Sequence, residues 1–430
     1  MHNARSSSGP LLPVSVDFLK WGTWVLLVSI FINGFFFRFA PSTLSGSMQS
    51  DLGLSASTLG LVASMHFWVY TVMQVPAGIF TDSVGIRNSG LIGGFVTSIG
   101  AFCFGFSPNV IVLLLGSALI GLGLSAIFVA VMSFNATKFS SEKHSLVMGA
   151  TMLLAALGSV IAQSPTAHLL IWFSWRDIVI FFGFLTLLAT ILLPVLSNRA
   201  PKSKTTNPGN VGAMAQQVLR GNRYVLQKRQ VWLLFLCVAA TNGTMYAFLG
   251  LWAVPLLTDG FDLGAEDAAR YATVSLIVYG IGSLFVGWAA DRIGDKKPVI
   301  IMAALLSTTV WSCMALGVWE PGWKALSLFV LLGLSGGQVG VIFAATKESV
   351  PQRNVGFATA LVNMGAFLTA ALVQSGFGII LDFVSVSAPN IQDYQIALSL
   401  PLAISALGIA AAVLLEKDNP SSMARTNSYR

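Results

Sequence analysis

The stretch VYTVMQVPAGIFTDSVGIR at residues 69–87 recurs in altered form as VYGIGSLFVGWAADRIGDK at residues 278–296. A shift of 209 residues superimposes the two stretches, so that a tyrosine, two glycines and an aspartate coincide. The same shift pairs two further short segments: Asn33-Gly34 with Asn242-Gly243, and Ala136-Thr137-Lys138 with Ala345-Thr346-Lys347. Because one shift serves such widely spaced positions, the pattern indicates an internal duplication of a unit about half as long as the chain.

The composition is typical of a membrane protein. The 430 residues are 55% hydrophobic and only 10% charged, with a mean hydropathy of +0.77. Soluble globular proteins contain about 25% charged residues. The three cysteines fall in apolar runs, which indicates neither a disulfide framework nor a metal site. The sequence offers no nucleophile–base pair and no cofactor motif, so it predicts neither an enzyme nor a bound cofactor.

Hydrophobic segments define the predicted fold. A membrane-spanning helix needs about 20 mostly apolar residues, and the sequence contains twelve such segments. They are 21–47, 57–81, 88–107, 109–135, 145–169, 177–196, 231–257, 268–290, 298–318, 324–346, 355–380 and 394–415. The prediction is an all-α integral membrane protein with two pseudo-symmetric six-helix bundles, at 21–196 and 231–415.

The basic residues predict how these helices lie in the bilayer. With a cytoplasmic N-terminus, 20 of the 24 Lys and Arg residues fall on the inner side, as the positive-inside rule requires. Segments 1–20, 197–230 and 416–430 are then cytoplasmic, and the middle one is a linker between the bundles. The net charge of +7 therefore reflects orientation and does not indicate nucleic-acid binding. The outer loops contain no Asn-x-Ser/Thr, which fits a bacterial inner membrane.

The two repeated stretches resemble the hallmark of the major facilitator superfamily, G-x-x-x-D-R-x-G-R-[RK], which follows the second span and recurs after the eighth. The resemblance covers the whole chain and implies a twelve-helix secondary transporter with its substrate site between the two repeats. In that family the motif loops latch the two halves in one conformation. The resemblance therefore implies a gating role for eight residues: Gly78, Asp82, Gly85, Arg87, Gly287, Asp291, Arg292 and Gly294.

Departures from the family patterns narrow the substrate class. Ser83 and Ile86 replace basic residues of the first motif, which predicts a weaker latch there. Drug exporters of the family carry an arginine where this chain has Ser117, and a Gly-Pro pair where it has Ala162-Gln163. Both differences argue against drug export. The segment Gln74-x-Pro76-Ala77-Gly78 resembles the corresponding segment in the branch of the family that imports carboxylates and related anions together with a cation.

Polar side chains recur on one face of the second span. His66, Tyr70 and Gln74 follow at intervals of four, which places them together on a helix, and Tyr279 repeats the pattern on the eighth span. Such a face predicts either a cavity lining or hydrogen bonds between helices. His66 could titrate near neutral pH or be a packed residue. Other candidate ligands, each open to the same two interpretations, are Asn242, Tyr246, Gln338 and Asn363.

A single arginine, Arg38, lies within the first span in the acid-free segment INGFFFRFAPS. An arginine at the centre of a membrane helix costs about 2.5–3.5 kcal/mol on insertion scales. Snorkelling to the surface and a structural ion pair are two alternatives, but no acid lies well inside any span. An anionic substrate would supply the missing charge, because the guanidinium matches a carboxylate, phosphate or sulfonate.

These observations lead to one functional hypothesis with two rivals. The chain is expected to be a monomeric secondary transporter of a small organic anion, working by alternating access with protons as the coupling ion. One rival is an exporter of amphipathic compounds or drugs. The other is a transporter-like nutrient receptor that moves no solute, although the chain offers no large cytoplasmic output domain for such a role.

Overall fold

The computed structural model describes residues 16–197, 222–386 and 388–416. Within them every regular element is helical, and twelve helices are long and apolar enough to cross a membrane. They are α1 (Asp17–Leu52), α2 (Ala56–Val84), α3 (Ile86–Gly105), α4 (Val110–Lys138), α5 (Leu146–Leu169), α6 (Trp175–Ser197), α7 (Arg229–Phe261), α8 (Ala265–Ile293), α9 (Lys296–Ala315), α10 (Trp323–Ser349), α11 (Val355–Val384) and α12 (Ile391–Val413). The predicted all-helical fold with twelve spans is confirmed. Residues 198–221 of the predicted linker, 1–15 of the predicted N-terminal segment and 417–430 of the predicted tail lie outside the described residues.

Three of the helices are irregular near their middles. In α5 the backbone breaks at Gln163 (φ −100°, ψ −111°), between segments that end at Ile161 and resume at Ser164. Helix α7 contains two π-helical turns, Ala239–Gly243 and Phe248–Trp252. Helix α10 is interrupted between Gly336 and Val339. Such irregularities leave backbone N–H and C=O groups outside the regular i to i−4 hydrogen bonds of the α-helix, and they are frequent at functional positions.

Glycines allow α3 and α4 to pack backbone against backbone. A Cβ atom on Gly100 would lie 2.6 Å from the Ile120 nitrogen, and one on Gly116 would lie 2.6 Å from the Phe104 nitrogen. Lipid tails are as apolar as the helices, so association in a bilayer depends on close van der Waals packing at small residues. The glycines therefore fix the spacing of this helix pair.

Hydrogen bonds join the first six helices to the last six near one face of the molecule. Consecutive helices alternate in direction, so both ends of the described chain lie on one face, here called the terminal face; the opposite one is the distal face. At the distal face the Asp382 carboxylate of α11 accepts hydrogen bonds from the Ala56 and Ser57 nitrogens at 3.0 and 2.9 Å. These two N–H groups belong to the first turn of α2, which has no intrahelical acceptor for them. The hydroxyls of Ser64 and Ser375 join the same two helices at 2.7 Å.

A second set of contacts joins α5 to the other half of the chain. The Gln163 amide nitrogen donates to the carbonyl oxygens of Phe39 on α1 and Leu249 on α7, each at 3.1 Å. The Leu249 carbonyl lies within the second π-helical turn of α7. The Ser164 nitrogen donates to the Thr273 hydroxyl of α8 at 3.1 Å. The break in α5 is therefore a second place where hydrogen bonds join the two sets of helices.

The terminal face has a different character. A Cβ atom on Gly78 or Gly287, the first glycines of the repeated motif, would meet no atom within 4 Å, and the same holds for Gly149 and Gly356. The close helix approach that these motif glycines permit is thus absent in this conformation. The hydrogen bonds described above between the two sets of helices lie instead towards the distal face.

The glycine packing predicts a stability difference between two matched substitutions. Gly116→Ala forces a methyl group against backbone atoms of α3, so we expect a lower melting temperature in detergent, corresponding to about 1–3 kcal/mol of overpacking. Gly149→Ala fills open space in α5, where alanine favours the helix by about 1 kcal/mol, so its melting temperature should be unchanged or higher. Equal melting temperatures for the two variants would contradict the backbone contact.

Candidate functional site

Arg38 lies midway along α1 and is only 5% exposed. Its guanidinium carbon is close to four aromatic rings, which come from α1, α2 and α11. The distances to the ring centroids are 4.7 Å for Phe35, 6.0 Å for Phe67, 5.3 Å for Tyr70 and 4.8 Å for Phe367. Because α11 belongs to the last six helices, the charge lies at the boundary between the two sets.

The rings compensate only in part for the burial of this charge. A desolvated cation–π contact contributes about 2 kcal/mol or more, and removing an ion from water costs several kcal/mol. A ring face, however, provides neither a negative charge nor a conventional hydrogen-bond acceptor for the guanidinium N–H groups. Within the described part of the chain, the ion pairs lie near helix ends and Arg38 takes part in none of them. Its Nε atom is buried and has no hydrogen-bond partner. The guanidinium is therefore flanked by rings while part of its hydrogen-bonding edge is unused.

Three tyrosines surround the arginine. The Tyr70 ring lies 4.5 Å from the Phe367 ring, and its hydroxyl is close to Arg38. The hydroxyls of Tyr246 and Tyr279 are hydrogen-bonded to each other at 2.7 Å, and both are in electrostatic range of the guanidinium. Tyr70 and Tyr279 are equivalent positions of the duplication, so the structure brings the repeated tyrosines to the same site.

Two of the predicted amide ligands are engaged by protein groups behind Tyr246. The Asn242 amide nitrogen donates to the Gly336 carbonyl at 3.0 Å. The Gln338 amide nitrogen donates to the Thr241 hydroxyl at 2.9 Å, although its Oε1 atom has no partner. These bonds brace the irregular part of α7 against the interruption in α10. They stabilise the backbone that carries Tyr246.

Gln74 and Asn363 lie one helical turn from Tyr70 and Phe367 respectively, on the same helix faces. The Gln74 side chain is buried beside Tyr70, and its amide nitrogen has no hydrogen-bond partner. Asn363 is half-buried. Both positions are displaced from Arg38 towards the terminal face, where the two sets of helices separate.

His66 is buried next to the arginine. Its ring is nearly parallel to the Tyr70 ring, with centroids 6.3 Å apart, and neither ring nitrogen has a hydrogen-bond partner. It borders an enclosed cavity of about 20 Å³, whose lining includes Pro41 and Ser117. The Ser117 hydroxyl donates to the Val62 carbonyl at 2.8 Å. The residue that stands in place of an exporter arginine thus joins α4 to α2.

The eight motif residues lie at the terminal face and do not join the Arg38 cluster. Gly85 and Gly294 adopt φ values of +84° and +72°, which glycine tolerates best, and each ends its helix at the predicted tight turn. Arg87 donates to the Ser197 hydroxyl at 3.0 Å, which ties α3 to α6. The other charged motif residues are exposed at the same face: Asp82, Asp291 and Arg292.

The sequence analysis missed the phenylalanines around Arg38. Phe35 lies one turn before the arginine and Phe67 adjoins His66, so helical periodicity could have placed these two near the site. Nothing local connects Phe367 with Arg38. Gln163 stands where drug exporters of the family have part of a Gly-Pro pair, and no sequence signal indicates that its amide bridges the two halves of the chain.

Comparison with known proteins places this geometry in a family. The sequence matches the Major Facilitator Superfamily over residues 26–374 and again over 253–429. The chain belongs to that superfamily. It is accordingly a multi-pass membrane protein of a transporter family and not an enzyme.

Relatives with assigned names are distant but align over most of their length. The D-galactonate transporter of Escherichia coli is 23% identical, over 85% of this chain and 92% of its own. The gentisate transporter of Corynebacterium glutamicum is 24% identical over 80% of each chain. The membrane sensor protein UhpC of Escherichia coli is 22% identical, over 83% of this chain and 85% of its own.

Solved structures share the fold. A bacterial homologue of the human lysosomal transporter Spinster, in an inward-facing unoccupied conformation, superimposes with a TM-score of 0.70 at 14% identity. The alignment covers 93% of this chain and 95% of that one. A D-xylose–proton symporter also gives a TM-score of 0.70, at 16% identity, over 93% of this chain and 98% of its own.

Proposed function

We propose that this protein transports a small organic anion across the membrane by alternating access, and that the anion binds to Arg38. The observation that carries the proposal is the buried guanidinium, which has no acidic partner among the described residues and an unused donor at Nε. An anion would supply both the missing charge and the missing acceptor. Intramembrane charges without a structural partner are characteristic of substrate pathways.

The position of Arg38 supports a role in transport rather than in simple binding. Its neighbours Tyr70 and Phe367 belong to different halves of the chain, so an anion held there would touch both. Two of the relatives are named for transporting organic anions, galactonate and gentisate. Tyr279, Tyr246, Gln74 and Asn363 are the further residues that we assign to the site; Asn242 and Gln338 position it from behind.

The arrangement of the helices supports alternating access. With both termini cytoplasmic, as the basic residues predict, we assign the conformation described here to a state that is closed at the outer, distal face. Moving to the opposite state requires the distal contacts of Asp382 and Gln163 to break. The terminal ends of α2, α5, α8 and α11 would then close, which gives Gly78 and Gly287 the close approach that they permit. We assign the motif aspartates, Asp82 and Asp291, to that closed state.

We propose protons as the coupling ion and His66 as their carrier. The charged and titratable groups that face this imidazole are Arg38 from α1 and Tyr70 from its own helix; α4 contributes only the Ser117 hydroxyl. An imidazolium beside an unpaired guanidinium is opposed by like-charge repulsion, and a bound anion would relieve it. Substrate binding and protonation would then favour each other.

Two other proposals complete the assignment. The protein acts as a monomer in a bacterial inner membrane and binds no nucleic acid.

A second candidate function is nutrient sensing without transport, which the similarity to a membrane sensor supports. Uptake of a labelled anion into proteoliposomes separates the two functions, because a sensor would bind the anion without accumulating it.

Substitution of Arg38 tests the anion site. Arg38→Ala should abolish anion binding and uptake while the melting temperature stays near that of the parent, because it removes a charge that has no acidic partner in the described chain. Arg38→Lys keeps the charge but loses the planar fork, so the affinity should fall by about 1–3 kcal/mol. Isothermal calorimetry and thermal unfolding on the same purified variants measure both quantities.

A structural role for Arg38 predicts the opposite pattern. Arg38→Ala would then lower the melting temperature and the yield, while the surviving protein bound anions normally. Arg270→Ala is the control, because Arg270 is exposed near the start of α8 and pairs with Glu266 on its own helix, away from the site. It should leave the affinity unchanged.

Substitution of Asp382 tests alternating access. Asp382→Ala removes the acceptor for two N–H groups of α2, a helix-cap effect of about 0.5–2 kcal/mol, so the equilibrium should move towards the state that is open at the distal face. Asp82→Asn and Asp291→Asn should move it the other way. Spin-label distances across each face measure the populations.

Asp393→Ala is the control for the distal face, because Asp393 caps α12 within the last six helices and makes no bond to the other half. Unchanged distances in the Asp382 variant, with normal uptake, would exclude a latch at that residue.

Substitution of His66 tests proton coupling. His66→Gln should remove the pH dependence of uptake, because glutamine cannot carry the proton. Exchange of anion at equal concentrations inside and outside the vesicles should persist. If the variant keeps the pH profile of the parent, His66 is not the proton carrier, and the substrate itself becomes the candidate.

A further inference from the structure

We infer that the transported anion is an aromatic carboxylate rather than a polyhydroxylated sugar acid. The inference rests on the anion transport proposed above and concerns the chemistry of the same site. Its basis is the set of rings around Arg38, here called the aromatic cage: Phe35, Phe67, Tyr70 and Phe367.

The cage is continuous with further rings. Phe128 of α4 contacts Tyr70 with centroids 6.4 Å apart, and Phe39 of α1 contacts Tyr246 at 5.9 Å. Tyr246 in turn contacts Phe367 at 6.2 Å. An anion that reaches the guanidinium therefore lies among ring faces and edges on the α1, α2, α7 and α11 sides.

A phenylalanine side chain has no conventional hydrogen-bond donor or acceptor for a hydroxyl group. A sugar acid would bring several hydroxyls to the cage, and each one left without a partner lowers the affinity roughly 5- to 150-fold. The polar groups nearby are mostly engaged: the amide nitrogens of Asn242 and Gln338 donate to protein acceptors, and the hydroxyls of Tyr246 and Tyr279 bond to each other. The unpartnered atoms near the cage are Gln74 Nε2, Gln338 Oε1 and the two ring nitrogens of His66. They are fewer than the five hydroxyls of a six-carbon sugar acid.

A benzoate-like anion meets these conditions. Its carboxylate pairs with Arg38, and its ring packs against the cage in the offset or edge-to-face arrangements that aromatic pairs prefer. The hydroxyls of Tyr246 and Tyr279 could exchange their mutual hydrogen bond for one to a ring hydroxyl of the ligand. A hydroxybenzoate would thus place one polar substituent where the site can bond it.

Binding to the purified full-length protein tests the inference with three probes: benzoate, cyclohexanecarboxylate and D-gluconate. Benzoate and cyclohexanecarboxylate have the same charge and similar size, so the ratio of their dissociation constants isolates the aromatic contribution. We expect benzoate to bind about 2- to 10-fold more tightly than cyclohexanecarboxylate. Gluconate should bind more weakly than either.

The outcomes separate this inference from the function on which it rests. If gluconate binds more tightly than benzoate, or if benzoate and cyclohexanecarboxylate bind equally, the aromatic inference is overturned while anion binding at Arg38 stands. If none of the three binds to the parent protein, the proposed anion transport fails instead.

A pair of matched variants locates the effect. Phe367→Leu removes the cage ring contributed by α11 and leaves three, so the preference for benzoate over cyclohexanecarboxylate should fall. Phe377→Leu makes the same change on the same helix at a residue that is 1% exposed and stacks on Trp252 instead of the cage. It should keep the preference. A lower preference in both variants, or in neither, would contradict the assignment, and the three probes on the parent decide the substrate class independently of how either variant folds.

Discussion

A buried guanidinium without an acidic partner is the constraint around which the centre of this molecule is arranged. Burying Arg38 costs several kcal/mol, and the surrounding rings return part of that through cation–π contacts. A carboxylate in place of Phe67 or Phe367 would stabilise the resting protein further, but it would also neutralise the charge permanently. Rings stabilise a cation without occupying its hydrogen-bonding edge, so the site stays available to an anion that arrives from outside.

The same residue lies where the two halves of the chain stop touching. Above it, towards the distal face, Gln163 and Asp382 connect the halves through backbone groups that irregular helices and a helix start leave unpaired. An anion between Tyr70 and Phe367 would contact both halves at their boundary. In the alternating-access mechanism proposed above, its binding energy could offset the loss of the distal hydrogen bonds.

The extent to which the sequence predicts this structure follows from how local each feature is. The twelve helices are predictable because apolar length is a property of a continuous segment, and Arg38 is conspicuous because no acid accompanies it. Tyr70 and Tyr279 follow from helical periodicity combined with the duplication. The contacts of Phe367 and Gln163 were not predictable, because they depend on how helices from opposite halves are rotated and spaced. A single sequence does not specify that rotation or spacing directly. The roles of the site and motif residues remain predictions.

The duplication explains the scaffold but not the chemistry that it carries. The position equivalent to Arg38 is Ala247, which is fully buried and whose carbonyl accepts a hydrogen bond from the Gln374 amide. A second arginine there would place two like charges in one apolar site, at a Coulombic cost that a single carboxylate could not balance. The two halves have therefore diverged in what they supply. The first contributes the cation and most of the rings, whereas the second contributes the Tyr246–Tyr279 hydroxyl pair and Phe367. Two bundles of similar fold thus surround Arg38 with different groups, and this asymmetry gives the proposed site a single fixed positive charge.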